Sequence, residues 1–167
     1  MIFKNLKFFF NISLIVPAFI FILDRISKIY VIYLANSNIG SDIFTSAYLN
    51  ITLIWNKGIA FGLFSFDKNY LYNLLSALIA AIILILMVMV FKNQGLKRYP
   101  LLIIIGGALG NLYDRIFYSG VPDFIDLHIG EFHWFIFNVA DIFITFGVIF
   151  MILYELIVTS DSQHEKN

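Results

Sequence analysis

The sequence contains no cysteine. Disulfides, thiol nucleophiles and thiolate metal sites are therefore excluded. Charge is scarce as well: 13% of the 167 residues are Asp, Glu, Lys or Arg, and eleven basic residues balance eleven acidic ones. With zero net charge and no basic patch interleaved with aromatics, nothing points to nucleic acid. Histidine is limited to His128, His133 and His164, and no HExxH pattern joins them. Metal ligation is not expected of them. His128 and His133, five apart, are read as exposed residues of one loop. Repeats and low-complexity tracts are absent, and Ser160 to Asn167 form a polar tail.

What the chain has is apolar length, since 60% of its residues are hydrophobic. Four runs, approximately 8–34, 70–91, 100–115 and 135–158, are read as spans of a single integral membrane domain covering 1–167, with outer segments 35–69 and 116–134. A span needs about 20 mostly apolar residues, which the second and fourth runs meet clearly. The third is shorter, and its outer end carries Gly106, Gly107, Gly110, Asn111 and Asp114. Such an end is expected to pack in protein rather than face lipid. Lys4 and Lys7 precede the first run as in a secretory signal. That run is too long for a signal's apolar region and no Ala-x-Ala site follows, so it is expected to stay attached.

Orientation follows from where Lys and Arg fall. Lys4, Lys7, Lys92, Lys97, Arg98 and Lys166 lie on one side, Lys57, Lys68 and Arg115 on the other, and Arg25 and Lys28 within the first span. With four spans, both termini and the 92–98 loop are expected in the cytoplasm.

In the first outer segment, Leu49-Asn50-Ile51-Thr52-Leu53-Ile54-Trp55-Asn56 alternates apolar and polar residues apart from Ile54, which is a strand period. Asn56-Lys57-Gly58 ends it as a turn, and Ile59-Ala60-Phe61 begins a second strand. A small sheet on the outer membrane surface is expected. The second outer segment has Gly120, Pro122 and Gly130 as breakers and is read as a loop with at most a short helix.

The polar residues of the spans converge on one depth. Asp24 and Lys28 share a helical face in the outer half of the first span. Asn111, Asp114 and Arg115 form a stripe at the outer end of the third, and Asn138 and Asp141 a similar stripe at the outer end of the fourth. Counting from Phe135 puts Asp141 about 9 Å below the surface at 1.5 Å per residue. Several of these features have plain structural readings. Asp24 with Lys28 reads alone as an intrahelical ion pair, Gly106-x-x-x-Gly110 as a helix-packing motif, and Asn56-Lys57-Gly58 as an ordinary turn. Asp114-Arg115 fits an interfacial ion pair as well as a substrate contact. Asp141 differs. An ionisable group in hydrocarbon costs at least about 2.5–3.5 kcal/mol, so it needs a partner or a task. Arg115 would serve as a structural partner, and Asp123 as a chemical one.

Peptide hydrolysis needs an activated nucleophile and a proton donor. Ser27 and Ser76 have no histidine at their depth, and metal ligands are lacking. Two carboxylates suffice: an ionised Asp takes a proton from the attacking water while a protonated Asp hydrogen-bonds the oxyanion. Like charges a few ångströms apart do not both ionise cheaply, so such a pair holds one proton. Two other classes fit buried carboxylates. A proton-coupled transporter would line its whole depth with polar residues, whereas 82–90 and 146–153 are apolar. A scaffold binding a partner through its sheet would tolerate neutralised aspartates.

Five blocks carry a resemblance that covers nearly the whole chain: Asp24-Arg25-Ile26-Ser27-Lys28, Asn56-Lys57-Gly58-Ile59-Ala60-Phe61, Gly106-Gly107-Ala108-Leu109-Gly110-Asn111-Leu112-Tyr113-Asp114-Arg115, Val121-Pro122-Asp123-Phe124-Ile125 and Phe137-Asn138-Val139-Ala140-Asp141. In these the chain resembles the bacterial lipoprotein signal peptidases, the type II signal peptidases; Pro122 and Ile59 are not the commonest residues of their slots. The resemblance implies a mainly α membrane protein of four transmembrane helices, with a small extracytoplasmic β-sheet, or cradle, and a periplasmic loop or short helix. It implies an aspartic endopeptidase without metal or cofactor, acting as a monomer in the bacterial inner membrane with its site near the periplasmic face. The implied substrate is a prolipoprotein whose cysteine carries diacylglyceryl, cut just before that cysteine, with membrane lipids as the other partner. By the same mapping Asp123 and Asp141 are catalytic; Asn56, Gly58, Asn111, Arg115 and Asn138 line the substrate pocket; Asp24, Lys28 and Asp114 support it.

Overall fold

In the computed structural model, residues 2–37, 42–58 and 69–164 are described, with side chains placed over 13–37, 42–58 and 70–158. The expected strand at Ile59–Phe61 lies outside these residues. The elements, in chain order, are helix α1 (Ile2–Ser37), strands β1 (Asp42–Thr45) and β2 (Leu49–Asn56), helix α2 (Asn69–Lys92), a 3₁₀ turn at Gly95–Lys97, helix α3 (Arg98–Tyr118), strands β3 (Val121–Ile129) and β4 (Phe132–Phe137), and helix α4 (Val139–His164).

Among the described residues, Tyr70–Lys92, Gly95–Tyr118 and Val139–Val158 are long and apolar enough to cross a membrane. At 36 residues, α1 has length to spare. It concentrates Asp24, Arg25 and Lys28 within one turn, however, and they are tolerated there because they are enclosed: Asp24 and Lys28 are 0% exposed. The outer faces of the helices carry large exposed apolar side chains such as Phe19, Leu84, Phe91 and Leu156, as a lipid-facing surface requires.

The centre of the molecule is α3, packed against α1, α2 and α4. Ile83 and Val90 of α2 meet Leu101, Leu102 and Ile105 of α3 in the apolar core. Close approach elsewhere depends on glycine. A Cβ at Gly107 would stand 2.5 Å from the Ala140 carbonyl of α4, and one at Gly110 would stand 2.4 Å from Asp24 Oδ2 of α1. Small residues here let the backbones close on each other.

The four strands form one antiparallel sheet in the order β1-β2-β3-β4. Asn50 pairs with Asp126 and Ile54 with Asp123, with a register shift between Ile51 and Ile54. The expected strand at 49–56 is β2. The second outer segment differs from the expected loop or short helix: it is the β3–β4 hairpin. Pro122 is the second residue of β3, close to the strand's start, where a missing N–H is tolerated. Gly130 does break the strand, in the left-handed region at φ 59°, and so makes the turn. The fourth span also begins later than expected. Phe135–Phe137 belong to β4, and α4 starts at Val139. Asp141 thus lies in the first helical turn, about 3 Å along the axis from Val139 rather than 9 Å deep.

Candidate active site

The start of α4 organises the site. Asn138 precedes the helix, and its Oδ1 accepts the Asp141 backbone N–H at 3.1 Å, while Asp141 Oδ2 accepts the Asn138 backbone N–H at 3.2 Å. This reciprocal arrangement is a capping box, satisfying two amides that a helix start would leave open. It also fixes the Asp141 carboxylate at the helix N-terminus, where the helix dipole favours negative charge. Asp141 Oδ1 accepts a third bond from Asn111 Nδ2 of α3 at 2.8 Å.

Asp123 arrives from β3. It is 3% exposed, and its two oxygens accept the side-chain amides of Asn138 at 2.6 Å and Asn56 at 2.8 Å. Asn138 therefore links the two aspartates: its side-chain nitrogen donates to the Asp123 carboxylate, its side-chain oxygen accepts the Asp141 backbone N–H, and its own backbone N–H donates to the Asp141 carboxylate. Burial, and then the negative charge of Asp141, push the Asp123 carboxyl up to about 6, against the pull of the Asn56 and Asn138 bonds.

Around this pair the polar groups are tied together. Asn56 Oδ1 accepts the Gly58 N–H at 2.8 Å, and Arg115 donates to the Gly58 carbonyl at 2.8 Å. Arg115 also donates to the Asn111 carbonyl at 3.3 Å, so its described hydrogen bonds run to backbone oxygens rather than to Asp141. Lys28 Nζ donates to Asn111 Oδ1 at 2.9 Å, Asp24 Oδ2 at 2.9 Å and Asp114 Oδ2 at 2.7 Å. Asp114 pairs further with Arg25 at 2.6 Å. Asp24 Oδ1 accepts the Ala140 N–H at 3.0 Å, a bond from α1 to the first turn of α4.

All ten residues singled out in the sequence meet in this network. Two readings change in detail. The Asp24–Lys28 pair exists, but Lys28 also reaches two residues of α3. Asp114 takes its cations from α1, namely Lys28 and Arg25, and not from the adjacent Arg115. The Ala140 amide and Arg25 were not anticipated; the presence of Arg25 beside Asp24 in the same block was the available signal.

Apolar helices around a glycine-lined central helix, with a buried Asp123 from the sheet and a half-buried Asp141 at one end, suit a membrane-embedded hydrolase of the aspartic class. The chain belongs to the signal peptidase (SPase) II family, whose model matches residues 16–157. A lipoprotein signal peptidase of Pelagibacter ubique is 51% identical to it over 163 residues, covering 98% of each chain. One of Anaplasma phagocytophilum is 45% identical, covering 87% of this chain and 92% of the relative. A solved bacterial membrane enzyme structure superposes with a TM-score of 0.69 at 28% identity, covering 90% of this chain and 91% of the other. The chain is a multi-pass membrane protein and a protease of that family.

Proposed function

We propose that the protein removes the signal peptide from prolipoproteins whose cysteine carries diacylglyceryl, cutting the bond just before that cysteine, and that Asp123 and Asp141 are its catalytic pair. The observation that carries this reading is the pair itself: two carboxylates, each held by two amide donors and both bonded to Asn138 at the start of α4. One proton is shared between them. The ionised member takes a proton from water as the water oxygen attacks the scissile carbonyl. The protonated member hydrogen-bonds the developing oxyanion, and the proton taken from water passes from its aspartate to the leaving amine as the C–N bond breaks. The titration belongs to the pair, since each charge acts on the other.

Asn56 and Asn138 hold Asp123, Asn111 and Asn138 hold Asp141, and Arg115 with Gly58 fixes the turn after β2 on the substrate side. Asp24, Lys28 and Asp114 lock α1 and α3 to the helix that carries Asp141. The position of Asp141 in the first turn of α4 suits a substrate whose lipid anchor keeps the scissile bond near headgroup level. With α1 as a fourth span, both termini and the α2–α3 turn lie in the cytoplasm. The sheet then lies on the periplasmic side of the inner membrane, the protein acts as a monomer, and 1–167 is one integral domain.

The test is incubation of the purified protein in detergent with a lipidated and an unlipidated form of one precursor peptide. Cleavage confined to the lipidated form is expected. Equal cleavage of both removes the lipid requirement, and cleavage of neither removes the activity.

A further inference from the structure

On the sheet, a second polar cluster stands apart from the carboxylate pair. Asp126 and His128 are two residues apart on β3 and so share a face. His133 of β4 lies directly opposite His128, and Asn50 of β2 directly opposite Asp126. Three strands therefore place four metal-capable side chains together. One ligating atom from each of Asp126, His128 and His133 lies within 4.8 Å of the others.

The hydrogen bonding of this cluster is short of donors. The Asp126 carboxylate is 4% exposed, and His133 Nδ1 sits 2.9 Å and 3.0 Å from its two oxygens. The Asn50 amide reaches it only at 3.4 Å. Among the described residues, the buried atoms His128 Nδ1 and Asn50 Oδ1 have no hydrogen-bond partner. The two imidazoles stack with centroids 5.0 Å apart. Buried polar atoms are almost always paired, so an unpaired imidazole nitrogen and an unpaired carbonyl oxygen beside a buried carboxylate are out of the ordinary. A cation supplies what this group lacks. Imidazole and carboxylate together suit a divalent transition metal, and two His with one Asp leave a fourth position for Asn50 Oδ1 or water, as zinc accepts.

We propose that Asp126, His128 and His133, with Asn50 beside them, form a zinc-class divalent metal site. Ligand atoms around tetrahedral zinc lie about 3.3 Å apart, given Zn–N distances near 2.0–2.1 Å. The His133–Asp126 separation is already close to that edge, and His133, with its side chain 49% exposed, has room to turn. A bound ion would clip β2, β3 and β4 together, stiffening the strand that carries Asp123 three residues before Asp126. The site takes no part in the bond cleavage described above and stands or falls apart from it.

The experiment titrates the chelator-treated, full-length protein in detergent with Zn²⁺ alone, following stoichiometry by calorimetry, thermal stability, and the metal's coordination by X-ray absorption. We expect one equivalent bound, a raised melting temperature and a shell containing two imidazole nitrogens. His128→Ala should weaken binding by more than tenfold and abolish the thermal shift, as should His133→Gln, a change at an exposed position that the fold tolerates. Asn50→Ala should weaken it about 10–100-fold, as loss of a flanking partner does. Glu131→Gln, an exposed acid in the hairpin turn, should bind as the unaltered protein does. Failure to bind a saturating equivalent, or histidine variants that bind as tightly as the unaltered protein, would overturn the assignment.

Discussion

Asp123 shows how a single side chain is tuned by its surroundings. Enclosure in protein disfavours its charged form, and the nearby Asp141 charge adds to that, so its carboxyl titrates near 6. An acid raised in this way stabilises the fold fully below the ordinary carboxylate value near 3.9, and that contribution is lost as pH rises through about 6. Infrared spectra of the carboxyl band should therefore show an Asp123 signal disappearing with a midpoint near 6. In Asp141→Asn the midpoint should fall, because a negative neighbour has been removed, yet stay above the ordinary value, because burial is the larger cause. An unchanged midpoint would mean that the two carboxylates do not sense each other. The position of Asp141 in the polar network was legible in the sequence, since a carboxylate entering an apolar run is costly wherever it is placed. Its partners were less so. Lys28 meets Asn111 from 83 positions away, and no local spacing announces that contact.

At the scale of elements, the junction between β4 and α4 decides the geometry. The apolar run continues from Phe135 without a break, so hydropathy alone extends the helix back to that point. What stops it is Asn138, whose side chain caps the helix and holds Asp123 at the same time. Asn138→Ala should remove a cap worth about 1 kcal/mol and let Asp123 drift. Processing should slow by as much as ~100-fold without being eliminated, because Asn138 supplies no proton. Thermal melts and initial rates measured together check this, and an unaltered rate would make Asn138 a structural cap alone. Strand β2 was legible because its alternation is regular. Strand β3 was not: Gly120, Pro122 and Gly130 read as breakers, although two of them lie outside the strand and Pro122 stands near its start. The Gly106-x-x-x-Gly110 stripe was readable as packing, whereas the fit of Asp24 against Gly110 required the fold.

For the whole molecule, the charged turn of α1 settles the arrangement. Asp24, Arg25 and Lys28 exclude α1 from the helices that cross on apolarity alone, yet together they bind α3 and, through Asp24, α4. A chain without cysteine is well suited to a topology test. Single cysteines at Tyr48 and Glu131 should react with a membrane-impermeant thiol reagent added to the periplasm, and one at Asn93 only after the inner membrane is opened. The reverse pattern would invert the orientation. In the proposed mechanism two aspartates act as one unit. The most direct measurement is single-turnover cleavage of a lipidated precursor by Asp123→Asn, Asp141→Asn and the double variant, each first shown to insert in the membrane. We predict that either single change eliminates cleavage and that the double change is no worse than either alone. Unreduced turnover by either single variant would contradict the claim.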